Sequence, residues 1–370
     1  MSGPRRIYSI DIFRGMTIAF MIIVNNPGSW GHVYGPLLHA KWHGCTPTDL
    51  VFPFFLFLVG ASMRFAFVKW HYFPSKDFYK HIFWRTFSIF MAGIILNAYP
   101  FIRQDWDWST FRVFGVLQRI ALAYGISALL IIKFDFKQMT QILVGILLFY
   151  WILLWIGVSS DPYSLEENLV RKLDILILGE KHLYSGFGIY FDPEGLLSTI
   201  PSVGTVIIGY LMGGMLHTTK NYTDCSKRMA IFGLAITILG YIWGFIFPIN
   251  KAIWTSSYVL FTGGIAAIIL SFLTYLIDIK HWKRPFWFFE VFGTNSIFLF
   301  IISGLWVKTI LNIDRELDGN MVNAYHYLYK TVFVPMAGDI NGSLLFALSH
   351  VLGFWCILYW MYKKNIQIKL

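Results

Sequence analysis

Apolar residues in this chain fall in long unbroken runs, of roughly 18 to 25 positions each, separated by shorter polar stretches. Each run is long enough to cross a hydrocarbon core of about 30 Å as a helix. The pattern predicts an all-α, polytopic integral membrane protein of about ten transmembrane helices. The expected spans are Ile7 to Val24, Leu50 to Val68, Ile82 to Ala98, Phe111 to Ile132, Ile142 to Val158, Leu196 to Leu216, Met229 to Phe247, Ile253 to Ile277, Pro285 to Leu311 and Leu344 to Tyr362.

Three polar connections are long: Asn25 to Thr48, Ser159 to Gly195 and Asn312 to Gly342. Long loops in a compact chain carry function. Within the second, Glu166 to Leu178 has apolar residues at helical spacing, which predicts a short helix lying along a membrane surface. The chain shows no repeat, no low-complexity tract and no soluble segment, so residues 1–370 are read as one transmembrane domain.

Cations decide the orientation, because short loops rich in Lys and Arg stay in the cytoplasm. Arg5 and Arg6 precede the first span, and every second loop then carries a basic cluster. These are Lys69, Lys76, Lys80 and Arg85; Lys133 and Lys137; Lys220, Lys227 and Arg228; Lys280, Lys283 and Arg284; and Lys363, Lys364 and Lys369. Both termini are expected in the cytoplasm and the three long loops outside, where most of the acids lie. The setting is the cytoplasmic (inner) membrane if the source is bacterial.

Composition agrees: 56% of the residues are hydrophobic and 14% charged, with a mean hydropathy of +0.59. The net charge of +10 is spread over five inner loops, which argues against a nucleic-acid partner. The first span is expected to stay attached, since Asp11 and Arg14 sit in its first turns and no small-residue cleavage site follows. Cys45, Cys225 and Cys356 have neither metal-ligand nor disulfide-framework spacing, and no metal is expected.

Polar groups inside spans are costly and each needs a reason. Asp11 and Arg14 share a helical face, to neutralise each other or to bind a cytoplasmic anion. Asn25 and Asn26 end the first span before Pro27-Gly28, as caps or as amide donors to a reacting carbonyl. His39 and His43 are four apart but lack a third metal ligand; an imidazole at a water-lipid boundary suits proton transfer or nucleophilic attack, with a structural role as the alternative. Asp49 would orient an imidazole or cap the second helix. Arg112 and Arg119, seven apart in the fourth span, would share one face and suit a phosphate or carboxylate. Glu290 is read as interfacial.

Jointly these motifs carry a family likeness. Ser9-Ile10-Asp11-Ile12-Phe13-Arg14-Gly15, Val24-Asn25, His39-Ala40-Lys41-Trp42, Gly44 and Asp49-Leu50-Val51-Phe52-Pro53 closely resemble the heparan-α-glucosaminide N-acetyltransferase family of membrane enzymes and its bacterial relatives. Gly115-Val116-Leu117-Gln118-Arg119, Asp174 to Gly179, His182-Leu183-Tyr184, Asp192-Pro193-Glu194-Gly195-Leu196, Asn250-Lys251, Trp254, Ser257-Tyr258 and Asn295-Ser296-Ile297 follow in the expected order.

The resemblance implies acetyl transfer from cytoplasmic acetyl-CoA, a co-substrate, to the amine of a glucosamine-type sugar or glycan on the outer side. His39 matches the family's catalytic histidine and Asn25 its active-site asparagine. Arg14, Arg112, Arg119 and Asn295 become the candidates for holding the donor, and Asp49, Asp174, His182, Glu194, Asn250, Lys251 and Trp254 those for the acceptor. His39 would act as general base or carry the acetyl group itself, with the base slightly favoured. Lipid is an expected partner, and a homodimer is left open.

Asn26-Pro27-Gly28-Ser29-Trp30 and His43-Gly44-Cys45 depart from the family pattern beside the acceptor, so the acceptor is expected to differ from long heparan chains. The extracytoplasmic domain that precedes the membrane region in animal members is expected to be missing. Two other classes compete: an O-acetyltransferase of envelope glycans, and a sugar or anion transporter, which requires paired broken helices that the pattern does not show.

Overall fold

The computed structural model describes residues 7–68, 75–101, 107–158 and 160–368. The expected cations Arg5, Arg6, Lys69 and Lys369 lie outside the described residues. Among the described residues, nine helices are long and apolar enough to cross a membrane, or ten if one bent pair is counted as a single span. The chain is therefore an all-α polytopic integral membrane protein.

The helices are α1 (Tyr8–Asn25), α2 (Val51–Ala66), α3 (Lys76–Ala98), α4 (Val116–Lys133), α5 (Phe136–Ile156), α6 (Leu169–Leu178), α7 (Thr199–Thr218), α8 (Tyr222–Trp243), α9 (Ser256–Leu273), α10 (Trp287–Thr294), α11 (Ser296–Leu311), α12 (Ala324–Leu328) and α13 (Val334–Lys363). Their layering follows their surface chemistry. In α7, 89% of the apolar window is buried, whereas α3 buries only 17% of its own, which sets α7 at the centre and α3 on the rim. The exposed Phe83, Trp84 and Phe87 of α3 and Leu148, Phe149 and Ile152 of α5 are the lipid-facing surface such a rim requires.

Lipid tails are as apolar as leucine, so helices in a membrane associate through close packing rather than hydrophobic exclusion. Helix α7 meets α2 on that principle. A Cβ at Gly60 of α2 would lie 1.9 Å from the Val206 carbonyl oxygen, and one at Gly209 of α7 would lie 1.9 Å from that of Phe57. The two backbones touch, with glycine as the only residue that fits.

Several elements differ from the sequence expectation. The ninth span is not one helix: α10 and α11 meet at 72° across Asn295. Such a break is tolerated in a membrane where the freed backbone lines a cavity, and Gly293, Thr294, Ser296 and Ile297 all do so. The third long loop holds an antiparallel hairpin, β1 (Asp314–Leu317) with β2 (Asn320–Asn323), in the register Asp314 to Asn323. The surface helix α6 starts at Leu169, because Asn168 caps it by accepting the Arg171 N–H at 2.9 Å. Its Leu176 and Ile177 point outward, as expected of a helix lying on a membrane.

Gly209→Ala should destabilise the purified protein by about 1–3 kcal/mol through forced backbone separation, seen as a lower melting temperature in detergent. Gly145→Ala, where nothing lies within 4 Å of the added carbon, should leave that temperature unchanged; equal behaviour of the two variants would contradict the packing account.

Candidate active site

Helix α1 ends at Asn25, followed by Asn26, whose Nδ2 donates back to the Ile22 carbonyl at 2.7 Å. Asn26 is thus the cap. Asn25 is exposed and borders a cavity of about 170 Å³. Among the described residues, nothing hydrogen-bonds its amide, which leaves it available to a ligand.

The loop after α1 returns to the same cavity at His39. Its Nδ1 lies 2.6 Å from Asp49 Oδ1. Asp49 Oδ2 accepts the Ala40 and Thr46 backbone N–H groups at 3.0 Å each and the Thr46 hydroxyl at 3.1 Å. These bonds close a capping box at the turn Pro47–Leu50 that leads into α2. The two sequence readings of Asp49, cap and imidazole orienter, are therefore both realised by one carboxylate. An ionised carboxylate only accepts, so Nδ1 carries a proton toward Asp49, and in the neutral imidazole Nε2 is the nitrogen with the lone pair. The Tyr258 hydroxyl donates to the Asp49 main-chain carbonyl at 2.6 Å and fixes the turn from beneath.

Lys251 arrives from the far side of the sequence. Its Nζ lies 3.5 Å from Asp49 Oδ1 and 3.2 Å from His39 Nδ1. With the Nδ1 proton directed at Asp49, the ammonium's partner is the carboxylate. Burial draws the Lys251 ammonium below its usual range, while Asp49 and Glu194 pull it back up. The lysine sits on a turn knotted by Trp254 N–H to Lys251 O at 3.1 Å and Thr255 N–H to Asn250 O at 3.1 Å. Asn250 serves this turn: its Oδ1 accepts the Ile253 N–H at 3.0 Å, and its Nδ2 lies 3.4 Å from His43 Nδ1. Trp254 adopts a left-handed φ of 50° and points into the core, donating to Thr205 Oγ1 at 3.2 Å. Asn250 and Trp254 are fully or almost fully buried, so they build the Lys251 turn and do not face the cavity.

Glu194 completes the polar rim. Arg112 holds it at 2.7 Å and grips Asp192 with two bonds of 2.8 and 2.7 Å. Burial alone would weaken the charge on Arg112, but the two carboxylates outweigh it and hold its pKa above the usual value. Helix α4 begins only at Val116, so Arg112 is not on its face, contrary to the sequence expectation. Arg119 is fully buried; it donates to the Ser198 hydroxyl and to Gly195 O, and lies 5.1 Å over the Trp254 ring. Both arginines therefore anchor the segment 192–198 that carries Glu194, and neither borders the cavity that holds Arg14 and Asn295.

Asp174 and His182 also lie apart from His39. Asp174 Oδ1 accepts the Leu196 N–H at 2.9 Å, and a Cβ at Gly195 would lie 1.7 Å from Oδ2, so this carboxyl is packed against bare backbone. Burial, together with the charge of Asp192, pushes its pKa up to about 7 despite the Leu196 bond and Arg119. His182 Nδ1 meets the Phe111 carbonyl at 2.8 Å and ties the second long loop to the extended stretch before α4. His43 lies in a non-helical stretch with a pKa lowered by burial, and no group of metal-ligating side chains occurs among the described residues. All three cysteines are free, and burial with Asp49 nearby pushes the Cys45 thiol up to about 12, which makes it an inert neighbour of the site.

At the opposite end of α1 and α2 a second cavity, of about 590 Å³, is bordered by Arg14, Asn295, His81 and Arg85. Arg14 pairs with Asp11 at 3.1 Å and donates to Ser62 Oγ at 2.5 Å, so the expected internal neutralisation and a cavity-facing arginine coexist. His81 and Arg85 were not singled out in the sequence, where Arg85 counted only as a loop cation. Phe55 and Ile297 border both cavities, so the two chambers adjoin at a neck formed by these side chains, between α2 and the first turn of α11.

Fold and site together define a polytopic membrane protein with a His–Asp pair at one end, a basic cavity at the other and a neck between them. A family model described as heparan-alpha-glucosaminide N-acetyltransferase, catalytic, matches residues 6–241. The chain belongs to that family. The human heparan-alpha-glucosaminide N-acetyltransferase is 28% identical over 354 residues, covering 80% of this chain and 52% of that protein. Its mouse counterpart is 27% identical over 356 residues, covering 81% and 53%. The chain spans about half the length of the curated relatives it matches.

A carboxyl whose folded pKa is raised binds its proton more tightly in the folded state, so its stabilising contribution is present at low pH and is lost as pH rises. For Asp174 that window runs from the reference value of 3.8 up to about 7. Asp174→Asn, which cannot titrate, should match the parent's melting temperature below about pH 4, gain on it as pH rises, and exceed it near about pH 8; a parallel pH dependence in both proteins would show that Asp174 does not carry the proton.

Proposed function

We propose that this chain is a transmembrane acetyltransferase, working as one membrane domain, that moves the acetyl group of cytoplasmic acetyl-CoA to the amine of a glucosamine-type sugar on the outer side. The single observation that carries the reading is the neck at Phe55 and Ile297, two residues that line both a basic cavity and the cavity of His39 and Asn25. The positive-inside pattern supports a cytoplasmic position for the basic cavity. From Arg14 to Asn25 is about 16 Å along α1 at 1.5 Å per residue. A donor with a charged nucleotide and a thin pantetheine arm fits that division. Arg14 and Arg85 would meet its phosphates, and the thioester would pass the neck to reach His39. No rocking of helices is needed.

In this mechanism His39 Nε2 takes the proton of the attacking amine as its nitrogen bonds to the thioester carbonyl carbon. The Asn25 amide and the Lys251 side chain donate to the developing oxyanion. The C–S bond then breaks, and the imidazolium, steadied by Asp49, returns the proton to the departing thiolate. Glu194 on the rim favours an acceptor that arrives as an ammonium, which gives one proton to water and then attacks as the neutral amine, and this supports amine over hydroxyl. The same Nε2 lone pair would serve as nucleophile in a two-step route. A hydroxylamine-sensitive acetyl-enzyme trapped without acceptor would establish that route instead of the general-base one.

Purified protein given labelled acetyl-CoA and glucosamine should form N-acetylglucosamine. Transfer only to sugars lacking an amine would support O-acetylation, and vesicle uptake without transfer would support transport. His39→Ala should lower the transfer rate by roughly 100-fold or more with its melting temperature retained; half of the parental rate would remove His39 from the chemistry.

A further inference from the structure

The chain returns to the basic cavity after its last helix. Helix α13 ends at Lys363, and Asn365 takes a left-handed φ of 53°. The Ile366 N–H then bonds to Met361 O at 3.0 Å and the Asn365 N–H to Tyr362 O at 3.1 Å. This pair of bonds is a Schellman cap, which reverses the chain at the end of a helix. Residues 366–368 are thereby turned back toward the break between α10 and α11.

Asn295, the residue at that break, meets them with both ends of its amide. Its Nδ2 donates to Ile366 O at 3.0 Å, and its Oδ1 accepts the Ile368 N–H at 2.8 Å. Its side chain is thus committed to backbone, which is not the arrangement of a residue free to hold a donor. Only a carboxamide, among side chains of this length, both donates and accepts across one segment; an Asp lacks the donor and a Leu lacks both. Gln367 and Ile368 form part of the cavity's lining, and about 590 Å³ remains with them in place. The segment is therefore a wall of the chamber and not a plug in it.

We propose that residues 366–368 complete the site for the donor's nucleotide and that Asn295 is the positioning residue that holds them there. The proposal rests on the reading of this cavity as the acetyl-CoA site. It makes the Schellman turn a determinant of donor affinity, since Asn365 turns the segment back to where Asn295 holds it. Asn and Gly tolerate a left-handed φ, and a β-branched residue does not.

The test uses the full chain and three variants: deletion of residues 366–370, Asn365→Val and Asn365→Gly. Initial rates are measured across acetyl-CoA concentrations, and CoA binding is measured by calorimetry. The deletion and Asn365→Val should raise both KM for acetyl-CoA and Kd for CoA roughly tenfold, the scale of one or two lost hydrogen bonds, with kcat held within about twofold. Asn365→Gly should retain the parental constants. Unchanged KM and Kd in the deletion and in Asn365→Val, or a loss of kcat at constant KM, would overturn the proposal while leaving acetyl transfer by the parent intact. A parent that neither binds CoA nor transfers acetyl would instead bring down the functional reading, and this inference with it.

Discussion

The arrangement around His39 depends on the Asp49 carboxylate. One oxygen faces the imidazole and the Lys251 ammonium, and the other closes the turn into α2 through Ala40 and Thr46. A carboxylate that is only 1% exposed is tolerable because every lone pair has a donor. The same bonds bring together three places in the chain: the loop after α1, the start of α2 and the turn before α9. Trp42 extends this stitching, since its Nε1 donates to Tyr163 O at 2.8 Å and its ring packs on Phe187 and Phe191. The imidazole and the loop architecture are thus fixed by one group, which is how the imidazole proposed as the base is kept rigid on a surface loop.

Membrane packing sets the two chambers side by side. Glycines let α2 and α7 touch at the centre, while the break at Asn295 takes α10 and α11 out of line and opens the basic cavity beside α1. A straight ninth span would have no freed backbone there. The break costs backbone hydrogen bonds in a medium without water, and a polar cavity with a returning chain segment is the environment that offsets that cost.

Much of this was legible in the sequence, because lipid imposes a length and a polarity on each span that composition alone reveals. The positions of the spans, His39 and Asn25 were read from apolar runs and motif order. Contacts distant along the chain were not. Lys251 is 212 residues from His39, and nothing local announces that its turn will meet Asp49. Arg112 and Arg119 were placed on one helix by their spacing, but the chain before Val116 is extended, and both side chains instead hold the segment that carries Glu194. The Asp318-Gly319 pair, with φ values of 52° and 80°, is a readable hairpin signal inside the third long loop. Asn295 showed itself as a motif but not as a break, because the apolar run continues across it without a proline.

The central claim is that a donor entering beside Arg14 presents its reactive end to His39 through the neck at Phe55 and Ile297. An experimental structure with an unreactive thioether analogue of acetyl-CoA tests it most directly. The account predicts phosphate density beside Arg14 and Arg85, the arm between Phe55 and Ile297, and the acyl oxygen within hydrogen-bond reach of Asn25 and His39. An analogue folded wholly within the basic chamber, with its acyl end on the far side of the neck from His39, would contradict it.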